Sequence, residues 1–357
     1  MNGKERIARQ LNHQPVDMIG ASEEFWSFTH QKWVDDGKIA AGENLLDHFG
    51  LDLDKHWSCN LGIDPEFKDV VLAEDDETRT VLNGNGAKLR YCKTHASTPE
   101  HLGYAIATRE DWLEKAKPFL KPTANRFSRE NYRAKKAECD AAGRFFFASG
   151  VNAFEAIHPI TGHENLLVGM ALDPEWVTEM ADLYSNLIIA LYEELFALEG
   201  KPDGIWFYED MGFKGRPFMS PDMYRELIMP AHKKTCDWAH GLGLKVVMHS
   251  CGYIRPLLPL MIESGIDGLQ AMEVKAGMDV LEIYEQFGDR IALMGGLDVR
   301  AIATNDKAWV KRELEEKIPI LKKRNGFILH SDHSIPESTQ YETYKYFLDL
   351  GRELGKN

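Results

Sequence analysis

Short apolar runs alternate along this chain with longer stretches whose apolar positions recur at helical spacing. Seven runs read as strands, at residues 18–22, 145–149, 205–209, 245–249, 268–272, 291–294 and 327–331, and an eighth reads at 51–57. Strands that alternate with helices build parallel sheets. Eight of them close a (β/α)8 barrel, which takes roughly 250 residues, and a chain of 357 residues leaves material for an insertion. That insertion reads at 68–93. Short β-prone runs there are separated by Asp75-Asp76-Glu77 and by Asn83-Gly84-Asn85-Gly86, and Asn-Gly between such runs is a hairpin signal. The expected fold is therefore α/β, a single TIM barrel over residues 1–357 carrying a small antiparallel meander. Helix punctuation agrees with it. Ser220-Pro221-Asp222 predicts a capped helix that runs to His240, stops at Gly241 and bends near Pro230, and Asp173-Pro174-Glu175 opens another through about Leu198.

Charge and composition narrow the partners. Lys and Arg number 42 against 56 acidic residues, a net charge of −14, and no basic tract interrupts the excess. A nucleic acid is not an expected partner. No apolar run approaches the roughly 20 residues of a membrane span, and the opening Met1-Asn2-Gly3-Lys4-Glu5-Arg6 does not read as an export signal. The five cysteines are scattered and none forms a CxxC pair. They read as reduced, and the expected location is the cytoplasm. A cysteine with a role is then a metal ligand or a thiolate. The GxGxxG, Walker, HExxH and GxSxG patterns are absent, which sets aside the common dinucleotide, nucleotide, zincin and serine-hydrolase readings.

In a barrel of this type the chemistry sits at the C-terminal strand ends, and those ends are polar here. His249 and Cys251, two residues apart, face the same side of their strand. Imidazole and thiolate suit zinc, and a catalytic zinc needs a third protein ligand and an open position. His333 at the last strand end is the first candidate for that ligand, with Glu155, Glu209 and Glu273 in reserve; the alternative is a hydrogen-bonded pair in a metal-free pocket. Glu209 and Asp210 place carboxylates at the mouth as a general acid, a base or a partner of a ligating histidine; the alternative is a helix N-cap by Asp210 and a solvated Glu209. Gly295-Gly296-Leu297-Asp298 either lets backbone approach a ligand or forms a tight turn capped by Asp298. Glu24-Phe25-Trp26, with Phe28 and Trp33 beyond, either walls a pocket for a flat substrate or covers a barrel end.

Several stretches match a known superfamily. Lys4-Glu5-Arg6-Ile7 through Gln14-Pro15-Val16-Asp17 resembles the opening of uroporphyrinogen decarboxylase-like proteins. Matches continue at Gly241-Leu242-Gly243 through His249-Ser250-Cys251-Gly252, at Ala276-Gly277-Met278-Asp279, at Gly288-Asp289-Arg290 through Gly296-Leu297-Asp298, and at Ser331-Asp332-His333-Ser334-Ile335-Pro336. The resemblance spans nearly the whole chain and implies a TIM barrel. It also implies one of two chemistries: cofactor-free decarboxylation, or zinc-dependent methyl transfer involving a corrinoid protein. True decarboxylases of the superfamily carry an arginine-bearing stretch after the first strand to hold substrate carboxylates. Here that place reads Ala21-Ser22-Glu23-Glu24-Phe25-Trp26, acidic and aromatic.

The resemblance is therefore closer to the methyltransferase branch, which binds zinc through His-x-Cys and a distant cysteine. His249 and Cys251 match the pair, and the distant position reads His333. This implies zinc on His249, Cys251 and His333, and demethylation of a methyl ether, aromatic by preference, with the methyl passed to the cobalt of a separate corrinoid protein. Glu209, Asp210 and Asp298 are then the catalytic candidates, and Glu24, Phe25, Trp26 and Glu273 the substrate-binding ones. The competing readings are a metal-free decarboxylase or lyase that moves protons through Asp298 or His333, a methylcorrinoid:thiol methyltransferase, and a non-catalytic barrel that binds a tetrapyrrole or a protein. Oligomeric state stays open, with a homodimer suggested by the family.

Overall fold

A computed structural model describes residues 1–95 and 97–357. Its strands are, in chain order, β1 (Leu53–Trp57), β2 (Val70–Glu74), β3 (Thr78–Leu82), β4 (Ala87–Cys92), β5 (Glu100–Tyr104), β6 (Phe145–Val151), β7 (Gly204–Tyr208), β8 (Gly212–Phe213), β9 (Arg216–Pro217), β10 (Lys245–Ser250), β11 (Gly268–Ala271), β12 (Ala292–Gly295) and β13 (Phe327–Ile328). Seven of them, in the order β1-β6-β7-β10-β11-β12-β13, form one parallel sheet. The eighth place, between β13 and β1, belongs to residues 19–22. Leu329 N donates to Gly20 O (2.8 Å), Ser22 N to Leu329 O (2.9 Å) and Asp52 N to Ala21 O (2.8 Å). The sheet thus closes as a TIM barrel.

The expected strand at 18–22 is present only as isolated bridges. The reason is where its other amides go: Gly20 N bonds the Gln10 side chain (2.9 Å), Ala21 N the Asp52 carboxylate (2.7 Å) and Ile19 N the carbonyl of Gly355 (2.9 Å). Every amide from 18 to 22 is satisfied, but not by a continuous ladder.

Period-two alternation sorts the barrel residues. Leu53, Phe147, Trp206, Val247, Met294 and Ile328 pack in one interior cluster, and Ile7 and Leu11 join it from the first helix, Gly3–Gln10, and its end. Two residues further along, four of these strands place polar residues inward: Lys55, Tyr208, His249 and His330. The barrel is therefore apolar through its middle and polar at the C-terminal mouth, where its chemistry is concentrated.

The insertion is larger than its sequence pattern shows. β2 to β5 form a four-stranded antiparallel sheet, and the Asn83–Gly86 turn joins β3 to β4 as expected. The fourth strand lies beyond residue 93. The predicted helices are in place, at Pro174–Glu199 and from Pro221 to Gly241. Ser220 Oγ caps the latter by accepting from Met223 N (3.1 Å). Ahead of Pro230 its turn widens to π geometry over Tyr224–Ile228. Such a turn accommodates the amide that proline lacks and the carbonyl its ring displaces.

Candidate active site

Asp210, His249 and Cys251 meet at the mouth, each offering a ligand atom within 4.8 Å of the others. Register explains the meeting. Tyr208 pairs with His249 across β7 and β10, so the inward positions just past each strand, Asp210 and Cys251, are neighbours. His249 Nε2 stands 3.3 Å from Cys251 Sγ and 3.2 Å from Asp210 Oδ1. The same Asp210 oxygen accepts from the Cys251 amide at 2.8 Å. Gly212 and Gly252 let the two loops pass backbone to backbone beside Cys251. A Cβ on Gly212 would meet Cys251 O at 2.4 Å, and one on Gly252 would meet the Gly212 carbonyl carbon at 2.4 Å.

The donor chemistry suits a metal. Gln270, opposite His249 in β11, presents Oε1 to the histidine Nδ1. An amide oxygen only accepts, so the proton sits on Nδ1 and the Nε2 lone pair faces the thiol and the carboxylate. Nitrogen, sulfur and oxygen donors converge here, and all three are zinc ligand types. Without a metal ion, a proton bridges them. Burial alone pushes the His249 imidazole down, but Cys251 and Asp210 outweigh it and hold it well above its ordinary value. Burial pushes the Cys251 thiol up, and His249 partly offsets this. Asp210, its side chain 41% exposed, is pushed up by burial but held lower by His249.

Beneath this group lies a half-buried ionic network that the sequence pattern did not reveal. Lys55 Nζ pairs with Glu24 and sits 4.0 Å above the Trp206 ring. Tyr208 OH donates to Glu24 at 3.0 Å. Burial acts against the Glu24 charge, but Lys55 and then His249 hold the carboxyl well below its usual range. Glu23 points the other way: fully buried, it accepts from Ser331 N (3.1 Å) and Oγ (3.0 Å), and burial pushes it up to about 8. Its neighbour His330 is pushed by burial down to about 4.

Four expected site residues are placed elsewhere. Glu209 faces out of the barrel, because it alternates with Tyr208 and Asp210. Its carboxylate caps the helix Ala153–Thr161 through Phe154 N (3.1 Å) and Glu155 N (3.0 Å) and pairs with buried His232 at 3.0 Å. Asp298 is the N-cap of Val299–Ala303 and a bidentate partner of Arg300, with a closest contact of 2.6 Å. Phe25 packs in an aromatic cluster with Trp33, Phe49 and Tyr344, at centroid distances of 5.0 to 5.8 Å. His333 does not join His249 and Cys251; its ring stacks on Trp26 at 6.3 Å, and Asp210 supplies the third donor instead. Glu24, Trp26 and Glu273 do stand at the mouth. Glu273 accepts from Gly252 N (3.0 Å) and borders a small cavity of about 220 Å³ beside Cys251.

A larger cavity, about 590 Å³, opens beside Asp210 and Cys251. Glu155, His158 and His163 line it from the helices after β6, Phe218 from the loop after β9, and His101 from β5 of the insertion. The sequence offered no periodic signal for these histidines, because they converge from separate elements.

Comparison with known proteins places this geometry in a family. The uroporphyrinogen decarboxylase (URO-D) pattern matches residues 148–354, more than half of the chain. The chain belongs to the URO-D family. It is similar to a methylated-thiol–coenzyme M methyltransferase of Methanosarcina mazei, 28% identical over 149 residues. That alignment spans 41% of this chain and only 37% of the relative. A solved methyltransferase structure from Methanosarcina mazei matches 99% of this chain and 98% of its own, with a TM-score of 0.67 and 16% identity, a likeness of fold.

Proposed function

We propose that this protein is a zinc-dependent methyltransferase that removes the methyl group of a methyl ether, aromatic by preference, and delivers it to the cobalt of a separate corrinoid protein. The observation that carries the proposal is the convergence of His249 Nε2, Cys251 Sγ and an Asp210 oxygen at the barrel mouth. Zinc held there supplies Lewis acidity at the heteroatom from which the methyl leaves. The chain's own part is to position the donor set. Gln270 fixes the tautomer and ring of His249, and the Gly212–Gly252 crossing fixes the loop that carries Cys251. The cavity beside them receives the methyl donor, with Phe218 in its wall. The corrinoid acceptor follows from the superfamily resemblance of the His-x-Cys stretch.

Two neighbouring readings are weaker on physical grounds. The Methanosarcina relative is named for a methylated thiol and coenzyme M. A donor set with one sulfur is less electron-rich than one with two, which favours an oxygen leaving group here over a thiol. Decarboxylation, for which the family is named, needs a site for carboxylate substrates. None of the described residues lining the cavity is Lys or Arg, while Glu155 and Asp210 are among them.

The test is turnover with free cob(I)alamin as acceptor and 2-methoxyphenol as donor. The proposal expects methylcobalamin and demethylated phenol in equal amounts, abolished by a chelator and restored by zinc. Turnover indifferent to the chelator, or carbon dioxide release from a carboxylated substrate without methyl transfer, contradicts it.

A further inference from the structure

A second cleft, about 420 Å³, lies between the insertion and the barrel. Its walls are the loop after β1, the Asn83–Gly86 turn between β3 and β4, and the helix Ala153–Thr161. Glu155 and Pro159 of that helix also border the 590 Å³ cavity, so the two spaces adjoin. Trp57 and Phe67, both exposed, give the cleft aromatic surface. Trp57 also packs 5.7 Å from the Tyr208 ring, which lies 5.1 Å from that of His249.

Three asparagines line this cleft, and backbone amides fix which way their side chains face. Asn60 Oδ1 accepts from Gly62 N (2.8 Å), Asn85 Oδ1 from Ile63 N (3.0 Å), and Asn83 Oδ1 from Asn85 N and Ala87 N (both 3.0 Å). A backbone N–H only donates, so the oxygen of each side chain is the atom held and its Nδ2 is left over as a donor. Among the described residues none of these three Nδ2 groups has a hydrogen-bond partner. Acceptors stand beside them. Asp64 gives one oxygen to Glu66 N (2.9 Å), and Asp69 gives neither to a described residue.

The lining thus joins uncharged donors to anionic acceptors, and its described residues include no Lys or Arg. A ligand carboxylate would lie against Asp64 and Asp69 without a counter-charge. A cation would set its own donors against the Nδ2 groups. A primary carboxamide uses both kinds of partner, its carbonyl accepting and its amino group donating in one plane, and a flat frame behind it suits the aromatic surface.

We propose that this cleft binds a neutral primary carboxamide carried on a flat or apolar frame. Asn60, Asn83 and Asn85 take the carbonyl, Asp64 and Asp69 the amino group, and Trp57 and Phe67 the frame. Two sources offer that chemistry beside the mouth: the carboxamide side chains that rim a corrin ring, and an amide-bearing small molecule. The site stands without bound zinc; only the corrin source rests on the proposed methyl transfer.

Ligand-observed NMR titration of the full chain tests it with benzamide, benzoate and benzamidinium, which share size and plane and differ in charge and donor pattern. Benzamide should bind about tenfold or more tightly than either of the others, the scale of one well-made hydrogen bond. Asn60→Asp and Asn85→Asp each keep the oxygen that holds the turn and replace the free donor with a charged acceptor. With native circular dichroism, each should weaken benzamide severalfold and strengthen benzamidinium. Benzoate or benzamidinium binding as tightly as benzamide, no benzamide binding, or benzamide affinity unchanged in both variants overturns the inference. Cobinamide, which keeps the corrin amides, and cobyrinic acid, which carries carboxylates in their place, separate the sources. A lead of cobinamide that is lost in Asn60→Asp supports the corrin rim, and benzamide selectivity without that lead supports a small molecule. Zinc-free protein should keep the preference for benzamide, so failure of the methyl-transfer reading and failure of this site are told apart.

Discussion

At the scale of single residues, the decisive choice is between Asp210 and His333 as third partner of His249 and Cys251. Asp210 Oδ1 lies 3.2 Å from the histidine nitrogen, whereas His333 stacks on Trp26. Asp210→Ala should therefore weaken zinc binding strongly, and His333→Ala should leave it nearly unchanged; zinc titration with a competing chromophoric chelator measures both. Gln270→Leu, which removes the acceptor on Nδ1, should cost about 10–100-fold in metal affinity. Glu23 gives a pH prediction. Its carboxyl is raised to about 8 in the fold from an ordinary 4.5. Between those values the unfolded chain releases a proton that the fold retains, so stability falls as pH rises across the window, by at most about 1.4 kcal/mol per pH unit. Glu23→Gln should flatten that slope in denaturant titrations at pH 5 and pH 8. Residue-scale chemistry was legible where two ligand types lay two positions apart on one strand, as in His249 and Cys251. It was not legible where partners come from different strands. Lys55 and Glu24, or Gln270 and His249, are paired only by barrel closure and register.

At the scale of elements, alternation decides which polar strand-end residue does chemistry. Tyr208 and Asp210 face inward and Glu209 outward, so one of the three carboxylates read as catalytic candidates holds a helix N-terminus and His232. Glu209→Ala leaves His232 buried without its partner and should destabilise the fold by about 3–5 kcal/mol. Asp298→Ala, a lost cap, should cost about 1 kcal/mol. Thermal and denaturant unfolding measure both, and neither variant should change the chelator sensitivity of turnover at temperatures where it is folded. The pattern of helices and barrel strands was legible because parallel strands and capped helices leave strong local signals. β5 was missed because Pro99 and Gly103 interrupt a short polar run, Glu100-His101-Leu102-Gly103-Tyr104, which becomes a strand by pairing with β4. That strand carries His101 to the cavity.

At the scale of the molecule, residues 19–22 complete the wall of a URO-D family barrel, whose first helix packs onto the apolar interior at one end and whose other end is where the polar side chains gather. We propose that residues 1–357 form one folding unit, with the insertion sheet packed beside the mouth. A single cooperative transition, coincident by near- and far-ultraviolet circular dichroism, is the expected outcome. Among the described residues no helix is long and apolar enough to cross a membrane. The central claim is that the mouth is built around a metal, and metal content by plasma mass spectrometry tests it most directly, on protein purified without added metal and again after zinc reconstitution. The account predicts about one zinc per chain, lost in Cys251→Ala while the circular dichroism stays native. Absence of stoichiometric zinc after reconstitution, or full zinc content in Cys251→Ala, would contradict it.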